Sequence, residues 1–176
     1  PPRSARDHNR DFALGLGGAA GLPLGTRRPA LGLELFVALH LSSRWRLGVE
    51  VGGMRRPSPA DGAGGGLPGM WMHAVLRADV LWLSAASGEL GFGLAGGGGQ
   101  LDWDNGASEA VAAIRPLLRY AWPARQQGDS LALWAELGHQ LLVGGAGLRQ
   151  MPSVGFGIEL RPGRAAASTG SRRSGR

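Results

Sequence analysis

The chain has no cysteine, so neither a disulfide framework nor a thiolate metal site is open to it. It has no lysine either, and all 19 basic residues are arginine. The glycine runs Gly64–Gly66 and Gly96–Gly99 therefore lack the lysine, and also the strand–loop–helix setting, of a phosphate-binding loop. No uncharged run reaches the roughly 18 apolar residues of a membrane-crossing helix. Pro1–Asp7 carries no apolar stretch of the kind an export signal needs, which predicts a chain that is processed or trimmed, or was never exported. A nucleic-acid partner is not expected. The net charge of +6 owes much to Arg3, Arg6 and Arg10 at one end and to Arg161, Arg164, Arg172, Arg173 and Arg176 at the other. Segments of that composition, 1–10 and the basic tail 162–176, are expected to be disordered.

Glycine is abundant, 32 of 176 residues, about 18% against a usual 7%. It follows no Gly-X-Y period, so the chain is not collagen-like, and its length predicts one domain, about 11–161. Within that domain the dominant signal is alternation. From Leu31 to Leu41 every odd position is a large aliphatic, and the even positions are Gly, Glu, Phe, Ala and His. After Ser43-Arg44 the pattern resumes with Trp45, Leu47, Val49 and Val51 set against Arg46, Gly48, Glu50 and Gly52. A period of two is the signature of a β-strand, and two such runs around a short polar turn make an antiparallel hairpin.

Six further runs follow the rule: about Asp11–Ala20, Met70–Ser84, Gly88–Gly98, Ala110–Trp122, Ser130–Val143 and Pro152–Arg161. Eight strands in all are expected, forming an all-β, up-and-down antiparallel barrel that crosses a membrane. Connections at one edge (Ser42–Arg44, Ala85–Gly88, Pro123–Asp129) read as short. Those at the other (Gly21–Pro29, Arg55–Gly69, Gly99–Glu109, Gly144–Met151) read as longer loops. Pro116 removes a ladder hydrogen bond and predicts a bulge in the sixth strand.

Alternation permits two barrels. A soluble carrier of lipocalin type turns its aliphatic face inward around a lipophilic ligand, whereas an outer-membrane barrel turns that face to lipid. Three features favour lipid. The polar face is largely glycine, which suits a narrow eight-stranded interior better than a solvent surface. It also carries Glu34, Glu50, Asp79, Glu89, Glu136 and Glu159 together with Arg46, Arg77, Arg115 and Arg119, including five of the six glutamates. Enclosed charges must pair, so these ten are predicted to form an ion-pair network in the lumen that holds the barrel closed. The third feature is a group of aromatics on the aliphatic face, Phe12, Trp45, Trp82, Tyr120 and Trp122, which all fall at the short-turn edge as an interfacial girdle would.

Eight amphipathic strands with these turns, loops and charges resemble the OmpA-like family of small outer-membrane barrels across about Asp11–Arg161. The resemblance implies an outer-membrane location in a Gram-negative envelope, termini on the periplasmic side and loops outside. The chain departs from such barrels where they often end in an assembly-directing aromatic. Here the last strand ends at Leu160 and an Arg/Ser/Gly/Ala tail follows.

A related class, lipid A deacylases, sets a catalytic His and Ser on the lipid face. His139 is on that face, but its neighbours along the strand are Leu137 and Leu141, so the hydroxyl a nucleophile requires is missing. His40 and His73 point to the lumen without a close third ligand, and no metal is expected. Asp102-Trp103-Asp104-Asn105-Gly106 reads as an ordinary turn rather than a calcium loop. Arg27, Arg28, Arg55, Arg56 and Arg149 fall in the longer loops, where they could contact lipopolysaccharide phosphates. The expectation is a monomer without cofactor or catalytic activity, with membrane lipid and lipopolysaccharide as partners and a structural or interactive role. The alternatives are a lipid-modifying enzyme and a soluble carrier.

Overall fold

Alternation is realised as eight strands: β1 (Phe12–Gly21), β2 (Ala30–His40), β3 (Trp45–Arg55), β4 (Pro68–Ala85), β5 (Gly88–Trp103), β6 (Ser108–Pro123), β7 (Leu131–Gly144) and β8 (Gly147–Leu160). In the computed structural model each strand pairs antiparallel with its neighbours in sequence, and β8 returns to β1 to close the barrel. The structure describes residues 12–24, 28–42, 44–57, 68–85, 88–103, 106–123, 131–145 and 147–161. Segments 1–10 and 162–176 lie outside these.

Closure leaves no free edge, so backbone donors and acceptors are satisfied between strands. The aliphatic positions face out: Leu33, Leu76, Leu94, Leu137 and Phe156 are all more than half exposed. Glycines and charged residues face in. This is the reverse of the soluble-carrier arrangement, in which the aliphatic face would be the core.

Several boundaries differ from the expectation. β5 runs on past Gly98 to Trp103, and β8 begins at Gly147, so the last two connections at the loop edge are 104–107 and 145–146 rather than long loops. Arg55 and Arg149 accordingly belong to strands.

Pro116 makes no bulge. The β6–β7 ladder has no pair at Arg115 and Pro116, yet its register is the same on either side, and Pro116 pairs with Leu94 of β5. The register shifts lie in β4, at Pro68/Met70 and at Leu81/Leu83. The second one turns both Trp82 and Leu83 outward.

Inside, the barrel is graded along its axis. Toward the turn edge the interior is charged. Toward the loop edge it becomes an apolar layer of Met54, Trp71, Leu101, Leu142, Met151 and smaller side chains. The lumen is thus only partly the polar interior that the alternation predicts.

Candidate functional site

The strand pleat aims alternate side chains of β2 to β8 at one axis, and the long ones meet there because glycines leave room. Gly15 is covered by the ring of Phe36, and Gly17, Gly155 and Gly157 lie beneath the indole of Trp134. A Cβ at Gly157 would fall 2.8 Å from Trp134 Cζ2 and 2.5 Å from the Gly17 backbone. Large residues are thus matched to glycines on neighbouring strands, Phe36 with its cross-strand partner Gly15 and Trp134 with its partner Gly157.

All ten of the charged residues singled out from the sequence are buried in this space, and nine of them, all but Glu89, form one connected chain of contacts. Arg46 donates to Asp79 at 2.7 Å and to Glu159 at 3.2 Å. Arg77 donates to Asp79 at 2.9 Å and Glu50 at 3.2 Å, and lies 2.7 Å from Glu136 as an ion pair. Arg115 reaches Glu34 at 2.7 Å, Glu50 at 2.5 Å and Glu136 at 3.3 Å. Arg119 contacts Glu159.

Arg161 joins the network, contacting Glu159 and donating to Glu89 at 2.7 Å. Its place in the sequence groups it with the tail charges, and the structure corrects that reading: it is 6% exposed and caps the turn end of the lumen. Within the network five buried arginines therefore share six buried carboxylates. Pairing of this density offsets a desolvation penalty of several kcal/mol per ion.

Aromatic side chains complete the cluster. The Arg119 guanidinium lies 4.6 Å from the Phe36 ring centre and 4.9 Å from that of Trp134. Two of its nitrogens, Nε and Nη1, have no hydrogen-bond partner, so the π-faces stand in for acceptors. Arg46 and Arg77 also approach Phe36, at 5.9 and 5.6 Å. Phe36 and Trp134 pack edge to face. Both occupy polar-face positions in the alternation, which is the signal the sequence offers for them.

His73 lies 3.0 Å from Glu50 and stacks on Trp71. Glu34, Glu50 and His73 place ligand atoms within 4.8 Å of one another. Both carboxylates already accept from Arg115, and a guanidinium beside a cation is unfavourable, so the set fits an ion-pair core better than a metal centre.

Phe12, Trp45, Trp82 and Trp122 are exposed at the turn edge, and Tyr120 packs on Trp122 with ring centres 4.5 Å apart. Phe92 lies beside Trp82 on the same face, with tilted rings whose centres are 5.2 Å apart. At the loop edge Trp103 is half-buried beneath Arg149 at 4.7 Å.

Other candidates resolve locally. His139 Nε2 lies 3.1 Å from Gln150 Oε1, and Pro152 is its cross-strand neighbour. Ser153, one residue on, faces the lumen and is 8% exposed. Asp102 and Trp103 are the end of β5, where Asp102 accepts from Gln100 at 2.7 Å. Asp104 and Asn105 lie outside the described residues, as does Arg27. Arg28 and Arg55 are exposed. Arg56, expected as a loop charge, is 5% exposed.

No protein-family model matches the chain, and no curated protein matches it. Among solved structures, the crystal structure of Neisserial surface protein A is similar with a TM-score of 0.56 at 9% identity. The alignment covers 86% of this chain and 96% of that one. At this identity the likeness is one of fold, and the fold it shows is the closed all-β barrel of eight antiparallel strands found here.

Proposed function

We propose that the chain is a small outer-membrane barrel with an occluded lumen, whose role is structural or interactive and whose loops are displayed outside the cell. The observation that carries the proposal is the exterior. Large aliphatic side chains cover every wall of the closed barrel, and Leu33, Leu76, Trp82 and Phe156 are about two-thirds exposed. Soluble monomers rarely expose a contiguous apolar patch beyond a few hundred Å², whereas lipid is the natural solvent for such a surface.

Dimensions agree. The 11 residues of β2 rise about 36 Å, or about 28 Å once tilted by ~40°, close to the ~25 Å apolar band of such barrels. The aromatic girdle supplies an interfacial anchor at the turn edge. The likeness to a protein described as a surface protein is compatible with this location. A monomer is proposed because closure leaves no strand edge to pair.

The test is expression behind a signal peptide, membrane fractionation, and comparison of boiled with unboiled samples on a gel. Recovery in the membrane fraction with a boiling-dependent shift in mobility is expected. Recovery as a water-soluble monomer would overturn the reading.

A further inference from the structure

A cavity of about 280 Å³ opens at the loop end of the lumen, above the ion-pair network. This is slightly below the usual range of roughly 300–1,000 Å³ for small-molecule sites, so it suits a slender ligand. Ala30, Met54, Trp71, Leu101, Leu142 and Met151 form its buried apolar wall. Leu24, Met70 and Leu148 line it as well, and these three are also exposed, by 55%, 38% and 59%. The cavity is therefore bordered by apolar side chains that are also exposed at the barrel surface.

Its charged groups are of one sign. Among the described residues, the ionisable side chains lining the cavity are Arg56 and Arg149, and no carboxylate lines it. Arg149 is oriented by Trp103 and by a 3.3 Å contact to Glu109, in which both side chains remain about one-fifth exposed. Arg56 is buried and held by an interaction of its own. The indole N–H of Trp71 is buried without an acceptor, although buried donors are nearly always paired.

We propose that this cavity binds a single-chain anionic amphiphile, a medium-chain fatty carboxylate. Its chain would lie against Met54, Trp71, Leu101 and Leu142, with its carboxylate near Arg56 and Arg149. The apolar wall, its exposed apolar rim and the two arginines match an amphiphile in each part. The inference goes beyond the structural role proposed above, and relies on that reading only for access from lipid.

The test uses the full chain folded into phosphatidylcholine vesicles and radiolabelled decanoate, with protein-free vesicles as the baseline. Saturable binding of about one decanoate per barrel is expected. Decanol, with the same chain and no charge, should bind about ten-fold more weakly, because it forgoes the charge-assisted bonds. The double variant Arg56→Gln/Arg149→Gln should lose that preference, and Leu142→Trp should lose saturable binding of both probes by filling the cavity.

Each variant is checked for the boiling-dependent shift. If Leu142→Trp fails to fold, Ala30→Phe replaces it. Decanoate uptake no greater than in protein-free vesicles would overturn the proposal, as would equal binding of decanol, or binding unchanged in the folded variants. Loss of the mobility shift in the unsubstituted chain would instead count against the membrane barrel itself.

Discussion

Arg115 shows how much a single side chain carries in this lumen. It bridges Glu34, Glu50 and Glu136, so Arg115→Ala leaves three carboxylates short of a counter-charge away from water. Breaking such a buried pair costs about 3–5 kcal/mol. The Glu109–Arg149 pair is partly exposed, and Arg149→Ala should cost under about 1 kcal/mol. Urea unfolding of both variants in vesicles would compare them, and an unchanged midpoint for Arg115→Ala would show that its partners are solvated.

Phe36 offers a second comparison, because its ring occupies the space a side chain at Gly15 would need. Gly15→Ala should be strongly destabilising alone and less so in a Phe36→Leu background. The expected coupling is roughly 0.5–3 kcal/mol, as for other residues in direct contact. Strict additivity in a double-mutant cycle would refute the packing of that ring against Gly15.

At the level of strands, the alternation makes both faces legible, since a slip of one residue would exchange them completely. The charged lumen positions can be read for the same reason, and so can the grouping of exposed aromatics at the turn edge. Strand ends are harder. The chain from Gly99 onward reads as a loop, because glycine usually punctuates structure. Here it continues β5, and a Cβ at Gly97 would meet the β4 backbone, 2.8 Å from Val75 Cα. Arg161 is obscured by the basic tail that follows it, although it keeps the inward parity of Glu159. The apolar upper lumen is hidden because Met54, Leu101 and Leu142 stand near strand ends, where large apolar side chains interrupt the run of small and charged residues on the inward face.

The β7–β8 turn is hidden by glycines too, and one of them carries a specific constraint. Gly147 has φ of +97°, and nothing lies within 4 Å of the place a Cβ would take, so Gly147→Ala meets backbone strain but no clash. A cost of about 1–2 kcal/mol is expected, with the folded barrel still formed. A loss smaller than about 0.5 kcal/mol in the same urea assay would mean that the turn readily adopts another conformation.

For the molecule as a whole, the outward aliphatic wall and the inward charge network impose opposite requirements that the closed sheet satisfies together. Lipid can solvate the wall, while the arginines and carboxylates solvate one another, so neither face needs water. The interior does not then resemble a channel: Phe36, Trp134 and the contacts from Glu89 through Arg161 and Glu159 to Arg46 fill its turn end. Eight strands leave an interior just wide enough for side chains, and opening a path would require several buried ion pairs to separate at once. The barrel incorporated into a planar bilayer should therefore give no step-like ion conductance. The cavity at the loop end does not alter that expectation, because it ends above the Arg115 layer. Reproducible unitary steps from folded protein would mean that the network opens, and Arg46 and Arg119, at its narrow lower end, would be the first side chains to substitute.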